Sequence, residues 1–315
     1  MQPINNYAII TDSTSDLTPL LMQRFNIDGM LLGRISTHLE EDAEVKMDLS
    51  DAEIDDFYSS LKANKDKYKT SPMSADKMAE YFETFLAKGQ DIITISITGA
   101  LSATYNIMLT AKDIALVKYP NRKIFVIDSE KYSIGVALLA IKAAELRKEG
   151  LTVEQNAEKL NVIRRTIHHM GPIDDLFWVA SKGRISHSKA FFGTVFGIKP
   201  LGDFDANGTV TVLAKVSGHD KALKATTEYV KRTIKSADKQ IIIVAHSGRR
   251  KLAETLAKQI EEKIKPKEVI ISNIYPSIGI NIGPGLVAAF FEGTTITDLE
   301  FEKKTMNEII ASKLK

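Results

Sequence analysis

The sequence predicts an α/β protein of two α/β domains, the N-terminal one on a mainly parallel sheet and the C-terminal one on a mixed sheet that includes an antiparallel hairpin. Three observations carry this. The first half alternates short β-branched runs with stretches of helical periodicity, the pattern of a parallel sheet with right-handed crossovers. The second half places Asp205-Ala206-Asn207-Gly208 between two apolar runs, and Asn-Gly in that setting signals a hairpin. The length, 315 residues, suits two domains of ordinary size.

Taken in order, residues 7–11 read as a strand and 17–25 as a helix whose start is marked by Pro19. Residues 30–35 are a second apolar run. Residues 51–63 and 75–87 have helix periodicity, the latter stopped by Gly89. A strand over 91–97, a helix over 102–118, a strand over 123–127 and a helix over 136–148 stopped by Gly150 follow. Another helix is expected from Thr152 through about His168. Residues 191–198 are apolar, and 199–204 with 209–216 form the arms of the hairpin. A Lys-rich helix over 221–235, a strand over 241–245, an amphipathic helix over 250–265 and a strand over 269–274 complete the alternation. Residues 286–291 read as helix, and the charged stretch 294–315 is expected to end as a surface helix. The expected division is 1–162, 163–293 and a charged C-terminal extension over 294–315.

Composition removes several function classes. With 44% hydrophobic and 26% charged residues, the chain has material for a sizeable core and fits neither a disordered nor a membrane profile. The 42 basic and 40 acidic residues leave a net charge of +2, without the basic excess of a nucleic-acid binder. There is no cysteine, which excludes disulfides, thiolate nucleophiles, Fe–S clusters and Cys-ligated zinc. No basic segment followed by an apolar stretch opens the chain, and no apolar run nears the roughly 20 residues of a membrane span. A cytoplasmic protein is the expectation.

In an open parallel sheet, ligands sit outside the carboxyl ends of the strands. Three predicted strand ends carry small hydroxylated residues: Asp12-Ser13-Thr14-Ser15-Asp16, the segment from Ser96 through Thr98, Gly99 and Ser102 to Thr104, and Asp128-Ser129 with Ser133 and Gly135. A fourth cluster, Thr70-Ser71-Pro72-Met73-Ser74, precedes the helix that begins near Ala75. Hydroxyls and backbone N–H groups at helix starts donate to anions. Each cluster alone is more often a cap or a Ser/Thr turn; together they point to one anionic small ligand.

The standard enzyme templates fail. No Gly-x-x-x-x-Gly-Lys-Ser/Thr, no Gly-x-Gly-x-x-Gly after the first strand and no His-Glu-x-x-His occurs, and Ser247 lacks the glycines of a nucleophile elbow. His168 and His169, side by side on the expected helix, diverge by about 100° and read as solvent or interface residues. His246 follows a strand directly, where it either lines a pocket or is a satisfied structural histidine. Asp12 and Asp128 are the one carboxylate pair the fold brings near, both placed to cap helices. Lys182-Gly183-Arg184-Ile185-Ser186 sets two cations around a flexible residue, suited to an anion or an acidic partner. Asn281-Ile282-Gly283-Pro284-Gly285 reads as a tight turn.

Read together, Ile10-Thr11-Asp12-Ser13-Thr14-Ser15-Asp16-Leu17, Thr70-Ser71 with Ser74, Leu101-Ser102-Ala103-Thr104-Tyr105, Val126-Ile127-Asp128-Ser129, Lys182-Gly183-Arg184-Ile185-Ser186, Ile198-Lys199-Pro200 and Gly283-Pro284-Gly285 resemble one family. It is the bacterial DegV family, which includes the fatty-acid-binding subunits of fatty acid kinase. The resemblance runs to about residue 293. It implies a ligand tunnel between the two domains, holding a long-chain fatty acid as ligand and needing no cofactor. A separate kinase subunit, related to dihydroxyacetone kinases, would phosphorylate the bound carboxylate, and the chain itself would perform no chemistry. By the same resemblance Thr70, Ser71, Thr98, Gly99 and Asn281 would meet the carboxylate. Ser13, Ser102, Lys182, Arg184, His246 and Gly283 would make secondary or partner contacts. This sequence has Gly99 where the family usually has a second serine, and Asn281 where fatty-acid-binding members often have histidine. The residues alone leave open a small-molecule enzyme using the same crevice, through Asp12, Asp128 or His246, and a lipid-sensing regulatory protein.

Overall fold

The computed structural model describes residues 6–185 and 197–312. The chain divides into two compact units: unit 1 is Met1–Asp48 with Asp66–Arg164, and unit 2 is Leu49–Lys65 with Arg165–Lys315. Residues 49–65 lie inside the stretch expected to form the N-terminal domain but pack in unit 2. The expected extension 294–315 is likewise part of unit 2.

Unit 1 contains strands β1 (Tyr7–Asp12), β2 (Gly29–Leu31), β3 (Arg34–Ser36), β4 (Ala43–Glu44), β5 (Lys69–Ser71), β6 (Asp91–Ser96) and β7 (Ile124–Asp128). Its helices are α1 (Pro19–Phe25), α3 (Ala75–Leu86), α4 (Thr104–Lys118), α5 (Ile134–Lys148) and α6 (Val153–Ile163), while α2 (Asp51–Ala63) belongs to unit 2. A fully parallel sheet runs in the order β2-β1-β6-β7. Every residue of β1 is buried, as expected of a strand covered on both faces. Ala8, Ile10, Ile92 and Ile124 of this sheet pack with Phe82 of α3 and Met108 and Ala111 of α4. The apolar run 30–35 is split. Gly29–Leu31 joins β1, but the Gly33 N–H donates to Ser13 Oγ (3.1 Å) instead of a ladder partner. Arg34–Ser36 then enters a separate antiparallel sheet of order β4-β3-β5.

Unit 2 has a six-stranded mixed sheet. Its strands are β8 (Ile167–Pro172), β9 (Ile198–Phe204), β10 (Val210–Ser217), β11 (Ile241–His246), β12 (Glu268–Asn273) and β13 (Val287–Glu292), in the order β10-β9-β8-β13-β11-β12. Only β11 and β12 run parallel. Around the sheet are α2, α7 (Leu176–Ser181), α8 (His219–Thr233), α9 (Arg250–Ile264), α10 (Pro276–Ile282) and α11 (Glu300–Ala311). The Asn-Gly hairpin forms between β9 and β10, with Gly208 at φ +75° and Asp205 Oδ1 accepting from the Asn207 and Thr209 amides at 2.9 and 3.0 Å.

Two expectations are corrected here. The helix expected through His168 ends at Ile163, and Ile167–Pro172 is strand, so His168 and His169 are fully buried rather than solvent-facing. A Cβ at Gly171 would lie 1.9 Å from the Val287 carbonyl oxygen, so glycine is what lets β8 close on β13. Residues 286–291, expected as helix, form β13, antiparallel to both β8 and β11. A six-residue apolar run has too few turns for periodicity to separate the two states. The C-terminal stretch does end in a surface helix, α11, which buries Glu302, Thr305, Met306 and Ile309 on one face and packs against α8 and β10. Of the apolar run 191–198, residues 191–196 lie outside the described residues, as does Ser186. No described helix is long and apolar enough to cross a membrane.

Candidate functional site

In unit 1 the parallel order β1-β6-β7 brings three of the four hydroxyl clusters to one end of the sheet. Asp12 ties two strand ends together: its Oδ2 accepts from the Ile97 amide (3.1 Å) and its Oδ1 from the Thr14 amide (2.7 Å). Burial pushes the Asp12 carboxyl above its ordinary range, against these bonds. Ser13 Oγ accepts from Gly33. Asp16, in a left-handed turn at φ 56°, accepts from Ser133 Oγ at 2.5 Å. Ser129 Oγ is used locally, accepting from the Lys131 amide and donating to its carbonyl, both at 3.1 Å. Asp128 accepts from the Glu130 amide (2.9 Å) and, through both oxygens, from Gly99 (3.3 and 3.2 Å). Asp12 and Asp128 are thus both engaged as turn-closing acceptors.

Gly99 therefore offers no free N–H. A Cβ there would meet Asp128 Oδ2 at 3.1 Å and Tyr105 at 3.3 Å, so glycine is what lets Asp128 and Tyr105 close on this turn. Thr98 is different. Its side chain is 1% exposed, its amide donates to the Lys131 carbonyl (2.8 Å), and its Oγ1 accepts from Ala100 (3.3 Å). The hydroxyl hydrogen finds no acceptor among the described residues. A second surplus lies at the start of α4, where Ser102 Oγ and Thr104 Oγ1 are 2.8 Å apart and Ser102 also accepts from the Thr104 amide. Two hydroxyls share one hydrogen between them, which leaves the other hydrogen without an acceptor among the described residues. Ala103, the residue before α4, makes no side-chain cap. Thr70 and Ser71 sit on β5, opposite Ile35 and Arg34 in the small antiparallel sheet of the same unit, with Ser71 exposed.

The remaining predicted residues lie in unit 2. Asn281 is on α10, its Nδ2 donating to the Ser277 carbonyl (3.1 Å). Gly283 ends that helix at φ +72°, where a Cβ would lie 2.5 Å from the Trp178 ring, and Trp178 Nε1 donates to the Ile280 carbonyl (3.0 Å). Gly285, at φ +114°, abuts Asp174. The Gly-Pro-Gly turn is thus wedged between Trp178 and Asp174. Lys182 Nζ donates to the Lys65 carbonyl (3.2 Å), Lys65 lies over the Trp178 ring at 4.6 Å, and Arg184 donates to the Lys182 carbonyl. His246, 2% exposed, accepts at Nδ1 from the Arg249 amide (3.3 Å), so its hydrogen is on Nε2. That atom is buried without a partner among the described residues, and burial holds the ring pKa below its ordinary value.

Two constellations of unit 2 were not foreseen. His168, Asp203 and Tyr229 form a buried hydrogen-bonded set. Asp174 gathers Lys199 (2.7 Å), His219 (2.8 Å) and Arg249 (3.0 and 2.7 Å). Burial disfavours charge on Asp174, but these three partners outweigh it and hold the carboxyl below the usual range. Neither set has a local sequence signal, because its members come from separate elements. No group of three or more His, Cys, Asp or Glu side chains suited to a metal ion occurs among the described residues.

Two α/β units, hydroxyl-bearing strand ends on a parallel sheet and a sterically locked Gly-Pro-Gly turn place the chain in a class of two-unit α/β proteins. The DegV family model matches residues 6–294, and the chain belongs to the DegV family. It is 31% identical over 296 residues to a DegV domain-containing protein of Clostridium perfringens, covering 93% of this chain and 99% of that one. It is 29% identical over 286 residues to the DegV domain-containing protein YteA of Lactococcus lactis, with 90% and 96% covered. Among solved structures, a DegV family protein of Thermus thermophilus described as binding fatty acid has a TM-score of 0.79 at 21% identity, covering 92% of this chain and all 100% of that one. The Streptococcus pneumoniae Fatty Acid Kinase (Fak) B3 protein loaded with linoleic acid has a TM-score of 0.76 at 23% identity, with 92% and 100% covered. At these identities the likeness to solved structures shows the shared fold.

Proposed function

We propose that this chain is a cytoplasmic, non-enzymatic protein that binds one long-chain fatty acid and presents its carboxylate to a fatty acid kinase subunit. The observation that carries this reading is the buried Thr98 hydroxyl, a donor with no acceptor among the described residues at the carboxyl end of a parallel sheet, together with the spare hydrogen of Ser102 and Thr104. Removing a carboxylate from water without donors costs several kcal/mol, so surplus hydroxyl hydrogens are what such a head group requires. Burial of about 15 methylenes at roughly 0.8 kcal/mol each supplies on the order of 12 kcal/mol, part of which offsets the entropy of association. The DegV relatives described as binding fatty acids, and the Fak B3 protein among them, support both the ligand class and the kinase partner. In this reading Thr70, Ser71 and Thr98 of unit 1 are polar contacts, while Gly99, whose amide is taken by Asp128, is not a donor.

Native mass spectrometry of the protein as purified tests this. The expected result is a fatty acid near one equivalent. Apo protein only, or a ligand that is not a lipid, overturns the reading.

A further inference from the structure

We propose that Lys199, His219 and Arg249, gathered on Asp174, form a phosphate-binding site of unit 2. The four residues come from four places: the loop after β8, the start of β9, the first residue of α8 and the residue preceding α9. They are 25, 45 and 75 positions apart in sequence from Asp174, so their meeting is a product of the fold. Arg249 holds Asp174 Oδ2 in a fork through Nε and one terminal nitrogen, while Lys199 and His219 share Oδ1.

The charges do not balance. Among the described residues Asp174 is the one acidic partner of all three basic side chains. Lys199 and Arg249 alone bring two formal positive charges to one negative, before any proton on His219 is counted. Donors are also left over among the described residues: the second terminal nitrogen of Arg249 and the remaining ammonium hydrogens of Lys199. The Arg249 donor is within reach of a solute, since that side chain is 45% exposed; His219 is 32% exposed and Lys199, at 15%, is more enclosed. Helices α8 and α9, each 15 residues long, both begin at this cluster, and neither has a side-chain cap at its start. Their first-turn amides and dipoles add to the attraction for an anion.

A forked guanidinium beside an ammonium fits phosphate, which offers several acceptor oxygens. A phosphate group carries nearly two negative charges at neutral pH, and so meets the surplus better than a second carboxylate. Asp174 acts as the built-in anion that keeps the three side chains together. The site shares no residue with the hydroxyl cluster of unit 1.

The test is a titration of the full chain with inorganic phosphate at constant ionic strength, read by NMR at the amides of His219 and Arg249. Saturable shifts that chloride does not reproduce are expected. Arg249→Gln should weaken the midpoint about tenfold, the loss of one charge-assisted pair. Asp174→Asn removes the internal competitor and should tighten it about threefold; if that variant does not fold, Arg249→Lys, which keeps the charge but loses the fork, should bind between the parent and Arg249→Gln. In a second arm, flotation with phosphatidic acid vesicles against phosphatidylcholine vesicles separates a lipid head group from free phosphate. Vesicle binding lost in Arg249→Gln assigns the phosphate to lipid, and saturable shifts without vesicle binding assign it to a free solute. Shifts equal to those with chloride, or an unchanged midpoint in Arg249→Gln, overturn the site.

Discussion

His168 Nδ1 lies 2.5 Å from Asp203 Oδ2, with both side chains fully buried in unit 2. On the other side of the ring, Nε2 lies 2.7 Å from the Thr294 carbonyl oxygen, which can only accept. Asp203 also accepts from Tyr229 Oη (2.7 Å) and the His169 amide (3.0 Å). Burial opposes its ionisation, but the charge and hydrogen bond of His168 prevail and hold the carboxyl below the ordinary range. With acceptors on both sides, His168 donates through both nitrogens: the pair is an imidazolium and a carboxylate inside the core.

Asp203→Asn would strand that imidazolium without its counter-charge. Breaking a buried pair from one side costs about 3–5 kcal/mol, which urea unfolding at neutral pH measures. The stabilisation from Asp203 is present above the unfolded carboxyl value of about 3.9 and is lost as pH falls through the lower folded value. The parent should therefore show an acid-side loss that the variant lacks. A variant within about 1 kcal/mol of the parent contradicts the pair.

Glu302 on α11 behaves in the opposite sense. It is 1% exposed, its Oε1 has no partner among the described residues, and burial raises its pKa. A raised folded value means that the native state holds the proton more tightly. Stability then declines as pH rises from the unfolded value of about 4.3 through the folded one. Glu302→Gln should remove this slope and stabilise the chain by about 1 kcal/mol at neutral pH, with the advantage vanishing toward acid. Thermal melts across pH read it directly.

For the acyl-chain reading, Thr98→Val keeps the side-chain shape and deletes the donor. Affinity for a fatty acid should fall by about 1–3 kcal/mol, measured by displacement of a fluorescent fatty acid. Thr70→Val is expected to weaken binding in the same range. If both variants bind like the parent, these hydroxyls do not meet the head group.

Gly283→Ala introduces a Cβ against the Trp178 ring at a positive φ. A loss of about 1–3 kcal/mol follows from the strained backbone. Trp178 is the one tryptophan in the sequence and is 5% exposed, so its emission should also shift to the red.

Much of the architecture was written locally. The parallel half followed from alternating strands and helices, the β9–β10 hairpin from Asn207-Gly208, and α2 from its periodicity, with a capping box between Ser50 and Glu53 at its start. Where the answer depended on distant partners, local pattern misled. Residues 287–291 are buried on both faces in a strand whose ladder partners are β8 and β11, distant pairings that no window of six residues contains. His168 looked solvent-facing because its counter-charge, Asp203, is 35 positions away. The hydroxyl clusters of unit 1 were visible because each sits at the end of its own strand. Their division into engaged acceptors and spare donors was not, since it depends on which amide each oxygen meets. Asp174 and its three basic partners gave no signal for the same reason as His168.

Helix α2 sets the order in which this protein can be completed. Its Tyr58 hydroxyl donates to the Ile274 carbonyl (2.7 Å), and its ring lies against Gly248. As the chain leaves the ribosome, Leu49–Lys65 emerges first and must wait, with all of Asp66–Arg164 still to be made before the rest of unit 2 appears. Unit 1 is complete in sequence while α2 still lacks its partners, so the N-terminal unit can fold first and carry α2 as an unfinished strand of work. A fragment that begins at Arg165 is missing a piece of its own core, and the Ile274 carbonyl is left without its donor. Translation delivers unit 2 in two instalments, and only the second can close it.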